Sequence, residues 1–516
     1  MKKVLAAVLT TALLAGCSSG TTSGGPREGT LRVLAGSELA DLRPILEQAK
    51  EATGVSVQLD FAGTLDGVQQ VASGRASATY EAVWFSSNRY LGLHPGAQVG
   101  TATPIMKSPV VLGVRPEVAQ RLGWTTERPT WAKIAEAAAR RDFTYGMTSP
   151  AASNSGFSAL VGIATALNPG SDLDPAGIER VAPKLKEFFG AQTLTAGSSG
   201  WLTDAFVRHG AEVDGLVNYE SVLLSLNASG KLQQPLTLVY PADGVVTADY
   251  PLTLLGSAPS HARDSYAKLT AYLLKPEVQQ RIADTVHRRP VTAGVAFAGE
   301  QGLKELPFPG ALQTVDKLIA AFFDRLRRPA RTLYVVDVSG SMTGQRIKDL
   351  KAALVSLTGA DDKGFERFHN REQVTLIPFS SKTAPPQVFT IPETGPEPEL
   401  LKIRSFAQGL NASGGTAIYD SLTTAFGIAR QQTAKDPDRF TSIVLMTDGE
   451  NANGMRFPEF ESRYPSLAKG VPVFPILFGE AKEDEMNELA RLTGGTAFDA
   501  RKQPLETVFK EIRGYQ

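Results

Sequence analysis

Asp337, Ser339 and Ser341 are spaced by two and follow the apolar run Leu333-Tyr334-Val335-Val336. In an extended backbone residues two apart point the same way, so one carboxylate and two hydroxyls converge on one point. Oxygen ligands alone suit a hard divalent cation, Mg²⁺ first, with Mn²⁺ or Ca²⁺ as alternatives. A lone D-x-S-x-S arises easily by chance, so the reading requires further oxygen ligands at the ends of later strands. Two follow. The segment Asn411-Ala412-Ser413-Gly414-Gly415-Thr416 has a glycine pair that permits a tight turn and presents Thr416 just before a helix. The buried run Ser442 to Thr447 then stops at Asp448, in Thr-Asp-Gly.

Such residues meet only if their strands end on one edge of a parallel sheet. A short apolar run that stops at a carboxylate predicts a buried strand of that kind. Strand and helix alternate from Arg331 onward. Val374 to Ile377 is a predicted strand that Pro378 ends. Val473 to Phe478 is another, and Thr496 to Asp499 a short last one. Helices are predicted over Ile347 to Leu357, Glu483 to Leu492 and Leu505 to Ile512. The alternation predicts a doubly wound α/β domain.

Residues 331–516 resemble a von Willebrand factor type A domain, in which a metal-ion-dependent adhesion site needs D-x-S-x-S, a later threonine and a later aspartate. The resemblance implies that Ser339, Ser341 and Thr416 contact Mg²⁺ while Asp337 and Asp448 act partly through water. Neutral hydroxyls leave the ion under-neutralised, so it can accept a carboxylate from a protein partner. A purely structural ion is the alternative.

The first half repeats the α/β logic. Thr30 to Ser37 reads as a strand, Leu39 to Thr53 as a helix, Val55 to Phe61 as a strand, and a helix follows Gly63-Thr64. Ala82 to Phe85 is a third strand, so an open parallel sheet is expected, with ligand groups at the strand ends. Residues 29 to about 290 resemble a bacterial solute-binding protein of the oxyanion-binding, molybdate-like type. The resemblance rests on Ala35-Gly36-Ser37, Gly63-Thr64 and the run Ser108 to Val114, which in that family crosses between two lobes. It also makes Ala151 to Gly156 a ligand loop, with Asn218-Tyr219 near the hinge. Hydroxyls of Ser37, Thr64, Ser153 or Ser155, with helix N-terminal N–H groups and Tyr219, would hold a small solute or oxyanion. The same Ser and Thr residues also serve as helix N-caps, and a scaffold that no longer binds solute is the alternative.

A chain of 516 residues exceeds one ordinary core, and its 42% hydrophobic content allows each domain a core of its own. Lys+Arg and Asp+Glu both number 53, so no net field points to nucleic acid or an anionic membrane surface. Met1-Lys2-Lys3, the apolar stretch Val4 to Leu14 and Leu14-Ala15-Gly16-Cys17 read as a secretory signal, residues 1–17. Leu-Ala-Gly-Cys resembles a bacterial lipobox, which implies a lipid anchor on Cys17 and an extracytoplasmic, membrane-held protein. Residues 18–28 are a flexible tether. Cys17 is the only cysteine, which excludes an internal disulfide and a multi-cysteine metal site.

Residues 291–330 are expected to be a linker with a connecting helix, Gln313 to Leu326, whose Arg325, Arg327 and Arg328 form a solvated basic end. No nucleophile–base constellation is visible, so an enzyme is not expected. The first functional reading is a lipid-anchored docking protein. The second is a transport receptor for a small solute, with the metal domain as accessory.

Overall fold

The computed structural model describes residues 29–515, apart from 171, 210–212, 361–364, 366 and 468–469. The predicted signal, Cys17 and the whole of the tether lie outside the described residues. Among those described, no helix is long and apolar enough to cross a membrane.

Two sheets form the first domain. In the first lobe the strand order is Ser56–Phe61, Thr30–Ala35, Ala82–Trp84, Pro251–Leu255, Val99–Pro104, the first three parallel. The helix predicted over Leu39 to Thr53 is divided. Ser37–Leu42 is a 3₁₀ turn and the α-helix starts at Arg43, with Pro44 in its first turn. Proline suits that position because it has no N–H to donate and its ring would clash inside a longer helix. Ile45, Leu46 and Ala49 then face the core, and Gly54 ends the helix at φ 75°.

Met106–Val114 carries the chain into the second lobe, whose strand order is Thr247–Ala248, Met106–Val114, Gly215–Tyr219, Tyr145–Thr148, Gln192–Ala196. Arg289–Pro290 returns to pair with Lys107 and Met106. Residues after 290 are not a free linker. Leu312–Ala321 is an α-helix that passes into a π-turn, Phe322–Leu326. Its Val315, Leu318, Ile319, Phe322 and Phe323 are buried in the core of the first domain.

The basic end of this helix is not solvated as expected. Arg327 is buried on Glu372, Arg325 pairs with Glu179, and Arg328 donates to the carbonyl of Pro437 at 3.1 Å. The helix ends inside a domain joint rather than in water, which its local sequence does not reveal.

In the second domain the sheet order is Gln387–Thr390, Gln373–Phe379, Ala330–Asp337, Phe440–Thr447, Val473–Leu477, Phe498–Asp499. Every pair is parallel except the first. Pro378 lies within its strand, opposite Val336, and does not end it. Gln387–Thr390 pairs with that strand only as far as Leu376, so the missing N–H falls where no outer neighbour needs it. Apolar layers cover both faces, which explains why the central strand Ala330–Asp337 is buried throughout and why its Leu333 to Val336 read as a continuous apolar run.

Candidate metal centre and interlobe cleft

The central strand ends at Asp337, and its parallel neighbour ends at Thr447, one residue past the pair Val336–Met446. Both chains therefore turn at the same sheet edge. Asp337 is fully buried, and both its oxygens are engaged: Oδ1 accepts from the Ser339 N–H at 2.8 Å, Oδ2 from the Thr447 hydroxyl at 2.7 Å. Burial pushes its carboxyl up, against the bonds from Ser339 and Thr447. Asp337 thus fixes the loop rather than reaching out of it.

The remaining oxygens form a chain. Ser339 Oγ lies 2.9 Å from Ser341 Oγ, which donates to Asp448 Oδ1 at 2.8 Å. Asp448 and Ser339 are buried and Ser341 is exposed, so two buried groups at the sheet edge meet at a residue on the surface. Thr416 is brought beside it by backbone. Gly340 N–H donates to Gly414 O, and Ser413 N–H to Val338 O, both at 2.8 Å. Gly414 holds φ at 83°, and a Cβ on Gly415 would fall 2.0 Å from Asn453 Oδ1, so both glycines are required. Asn453 accepts from the Thr416 N–H at 3.1 Å and Asn451 from the Ile418 N–H at 2.8 Å. The loop after Asp448 therefore clamps the Thr416 turn. The Thr416 hydroxyl makes no hydrogen bond of its own among the described residues.

This donor set fits a hard divalent ion. It offers hydroxyl and carboxylate oxygens with successive separations under 3 Å, and backbone bonds hold the Thr416 turn against the same loop. Among the described residues no three His, Cys, Asp or Glu side chains converge as a metal-binding group.

Three residues here escaped sequence reading. Thr447 caps Asp337, Asn453 holds the Thr416 turn, and Arg346 donates to Asp448 Oδ2 at 2.6 Å. Thr447 has a signal, a polar residue closing an apolar strand. Arg346 has none, because it looks like any charge at a helix start.

The proposed solute residues come together less completely. Ser37 opens the 3₁₀ turn of the first lobe and is exposed; Thr64 opens the helix Thr64–Ala72. A Cβ on Gly63 would lie 2.8 Å from Ala152 O, so the lobes touch there. Ser153 precedes the helix Asn154–Ala166 without capping it.

Ser155 does not line a cleft. It is fully buried, and its hydroxyl meets Thr148 at 2.8 Å, Ser199 at 2.9 Å and Ser153 at 3.2 Å. A hydroxyl has one donor and two acceptor sites, so none is left for a solute. Tyr219 ends its strand fully buried beside Ser86 and Ser158, and burial pushes its phenol far up. Glu38, next to Ser37, lies across from Asn154 at 3.4 Å, and burial pushes its carboxyl up. Arg288 is spent on Asp41, two contacts at 2.8 Å.

With this geometry in hand the chain's relatives are informative. Residues 31–285 match the family model of the bacterial extracellular solute-binding proteins, and residues 332–450 that of the von Willebrand factor type A domain. The chain is therefore an extracellular solute-binding domain followed by a von Willebrand factor type A domain. Similar curated proteins include inter-alpha-trypsin inhibitor heavy chain H4 of Homo sapiens, 32% identical over 133 residues, 25% of this chain and 13% of that one. Heavy chain H3 of Homo sapiens is 30% identical over 181 residues, 33% of this chain and 19% of that one. An uncharacterized protein of Synechocystis sp. is 30% identical over 128 residues, 25% and 27%. The matched stretch spans between 13% and 27% of these relatives' lengths.

Similar solved structures include the periplasmic binding protein AfuA from Actinobacillus pleuropneumoniae, with TM-score 0.45 and 11% identity over 58% of this chain and 99% of that one. The ferric binding protein from Campylobacter jejuni has TM-score 0.43 and 14% identity over 56% and 96%. Likenesses of this degree say nothing of a ligand here.

Proposed function

We propose that the second domain binds Mg²⁺, or Mn²⁺ or Ca²⁺ in its place, and docks a protein partner that offers a carboxylate. The observation that carries this reading is the oxygen chain Ser339–Ser341–Asp448, in which two buried residues are joined through the hydroxyl of an exposed one. Ser339, Ser341 and Thr416 would hold the ion, with Asp337 fixing the loop and Asp448 supplying charge. When bound, the ion supplies an open coordination position for the partner's carboxylate. The residues themselves orient the donors and keep one side of the centre dry. Lipidation at Cys17 would hold this centre on the outer side of a membrane.

The test is calorimetric titration of the full chain with Mg²⁺, beside Asp337→Ala. The wild type should bind saturably and the variant should not, since the Ser339 loop and Thr447 lose their common acceptor. Equal binding by both would sink the reading.

A second reading, a receptor for a small solute, draws on one observation. The Nδ2 of fully buried Asn218 and the hydroxyl of Tyr219 have no hydrogen bond of full geometry, and a solute would satisfy them.

A further inference from the structure

Asp448 is a completely buried carboxylate with two neighbours of different kind. Its Oδ1 is bound by Ser341, a member of the proposed metal set, and its Oδ2 by the guanidinium of Arg346 at 2.6 Å. A buried charge left without a counter-charge is costly, and the nearby Asp337 carries the same sign. Arg346 answers that need. It stands in the first turn of the helix Gln345–Ser356, and the same nitrogen reaches the Ser341 carbonyl at 3.5 Å. The backbone of Gly479 closes over it, since a Cβ there would lie 3.0 Å from its Cζ. Its side chain is 37% exposed, so it has a path to solvent.

We propose that Arg346 is the centre's resident counter-ion: it neutralises Asp448 when no divalent ion is bound and competes with that ion when one arrives. The inference rests on the metal reading above and goes beyond it, because it assigns the metal affinity to a residue that is not a ligand. An ion carrying two positive charges beside Ser341 repels the guanidinium and draws on the same carboxylate. The two cations therefore share Asp448 at each other's expense. A charged hydrogen bond to a buried carboxylate is worth roughly tenfold or more in an equilibrium constant, and metal binding has to overcome it. The domain gains a folded, neutralised centre in the absence of metal and gives up affinity in exchange.

The experiment titrates the full chain with MgCl₂ in three forms, wild type, Arg346→Ala and Arg346→Lys, and follows thermal melting in EDTA. Arg346→Ala should bind Mg²⁺ on the order of tenfold more tightly, melt lower in EDTA and regain more of its stability when Mg²⁺ is added. Arg346→Lys keeps the charge and should stay near the wild type in both measurements. Binding seen in Arg346→Ala but not in the wild type is the same result in stronger form. If the wild type binds and Arg346→Ala binds equally or more weakly with its circular dichroism intact, the inference is overturned and the metal reading stands. If no form binds metal, both are overturned together.

Discussion

Glu372→Ala should lower the stability of the second domain by about 3–5 kcal/mol, read as a shift in the midpoint of its chemical unfolding. Glu372 is 1% exposed and accepts from two buried arginines. Arg513 donates to both its oxygens, at 2.6 and 2.7 Å, and Arg327 to one of them. The His369 N–H adds a fourth bond at 3.1 Å. Arg327 follows the connecting π-turn, Glu372 precedes the strand Gln373–Phe379 and Arg513 ends the helix Leu505–Arg513, so the cluster pins the domains to each other. Removing the carboxylate leaves two guanidiniums buried with like charge.

The cost should come from that uncompensated charge rather than from lost bonds. The triple substitution Arg327→Met, Glu372→Leu, Arg513→Met should therefore be milder than Glu372→Ala alone. A Glu372→Ala protein within about 1 kcal/mol of the wild type would refute the account.

The pH dependence has a definite sign. Burial pushes the Glu372 carboxyl up, but Arg513 and Arg327 outweigh it and hold it below the usual carboxylate range. A group depressed on folding contributes its full stability above its unfolded value and loses it as pH falls through the folded one. Acidification should weaken the joint in the wild type and have less effect in Glu372→Gln.

The joint and the candidate metal centre differ in how far they could be read from sequence. Asp337, Ser339 and Ser341 sit within five residues at the end of an apolar strand, and local spacing alone directs them to one point. Thr416 and Asp448 are legible for the same reason, since each follows its own element and the sheet brings the element ends together. Glu372 is not legible. It pairs across 45 residues with Arg327 and across 141 with Arg513, and nothing near any of the three marks a partner. Periodicity showed that Gln313 to Leu326 is helical and which residues are apolar, but not what those residues meet. Read locally, the basic end belongs in water; in the fold it belongs to a joint. Ser155 failed in the cleft by the same route: a serine at a helix start looks alike whether it faces a solute or three other hydroxyls.

Gly197→Leu should separate the two domains in unfolding. Gly197 lies in the second lobe, and a Cβ there would fall 2.6 Å from the Tyr515 ring, close to the chain's end. That ring is packed edge-on against Trp201 of the lobe, with centroids 4.8 Å apart, and contacts Phe474 and Phe498 of its own domain at 5.7 and 5.5 Å. Next to it, Gly514 approaches Ala152 so closely that a Cβ would lie 2.6 Å from the Ala152 Cβ.

A leucine at 197 cannot be absorbed by a rotamer change, because the ring is held on three sides. The contact has to open, at a cost typical of overpacking, about 1–3 kcal/mol. Tyr515→Ala should have a similar effect by removing the shared aromatic instead. With the joint intact, calorimetry should show both domains melting together; either variant should divide the melt into two transitions. Two transitions in the wild type, unmoved by both substitutions, would show that this contact does not bind the domains. A divided melt would also bear on function, since Ala152 adjoins Ser153 and borders the interlobe cleft. The end of the second domain then leans on the loop that borders the cleft, and the same aromatic contact would carry any influence of one domain on the other.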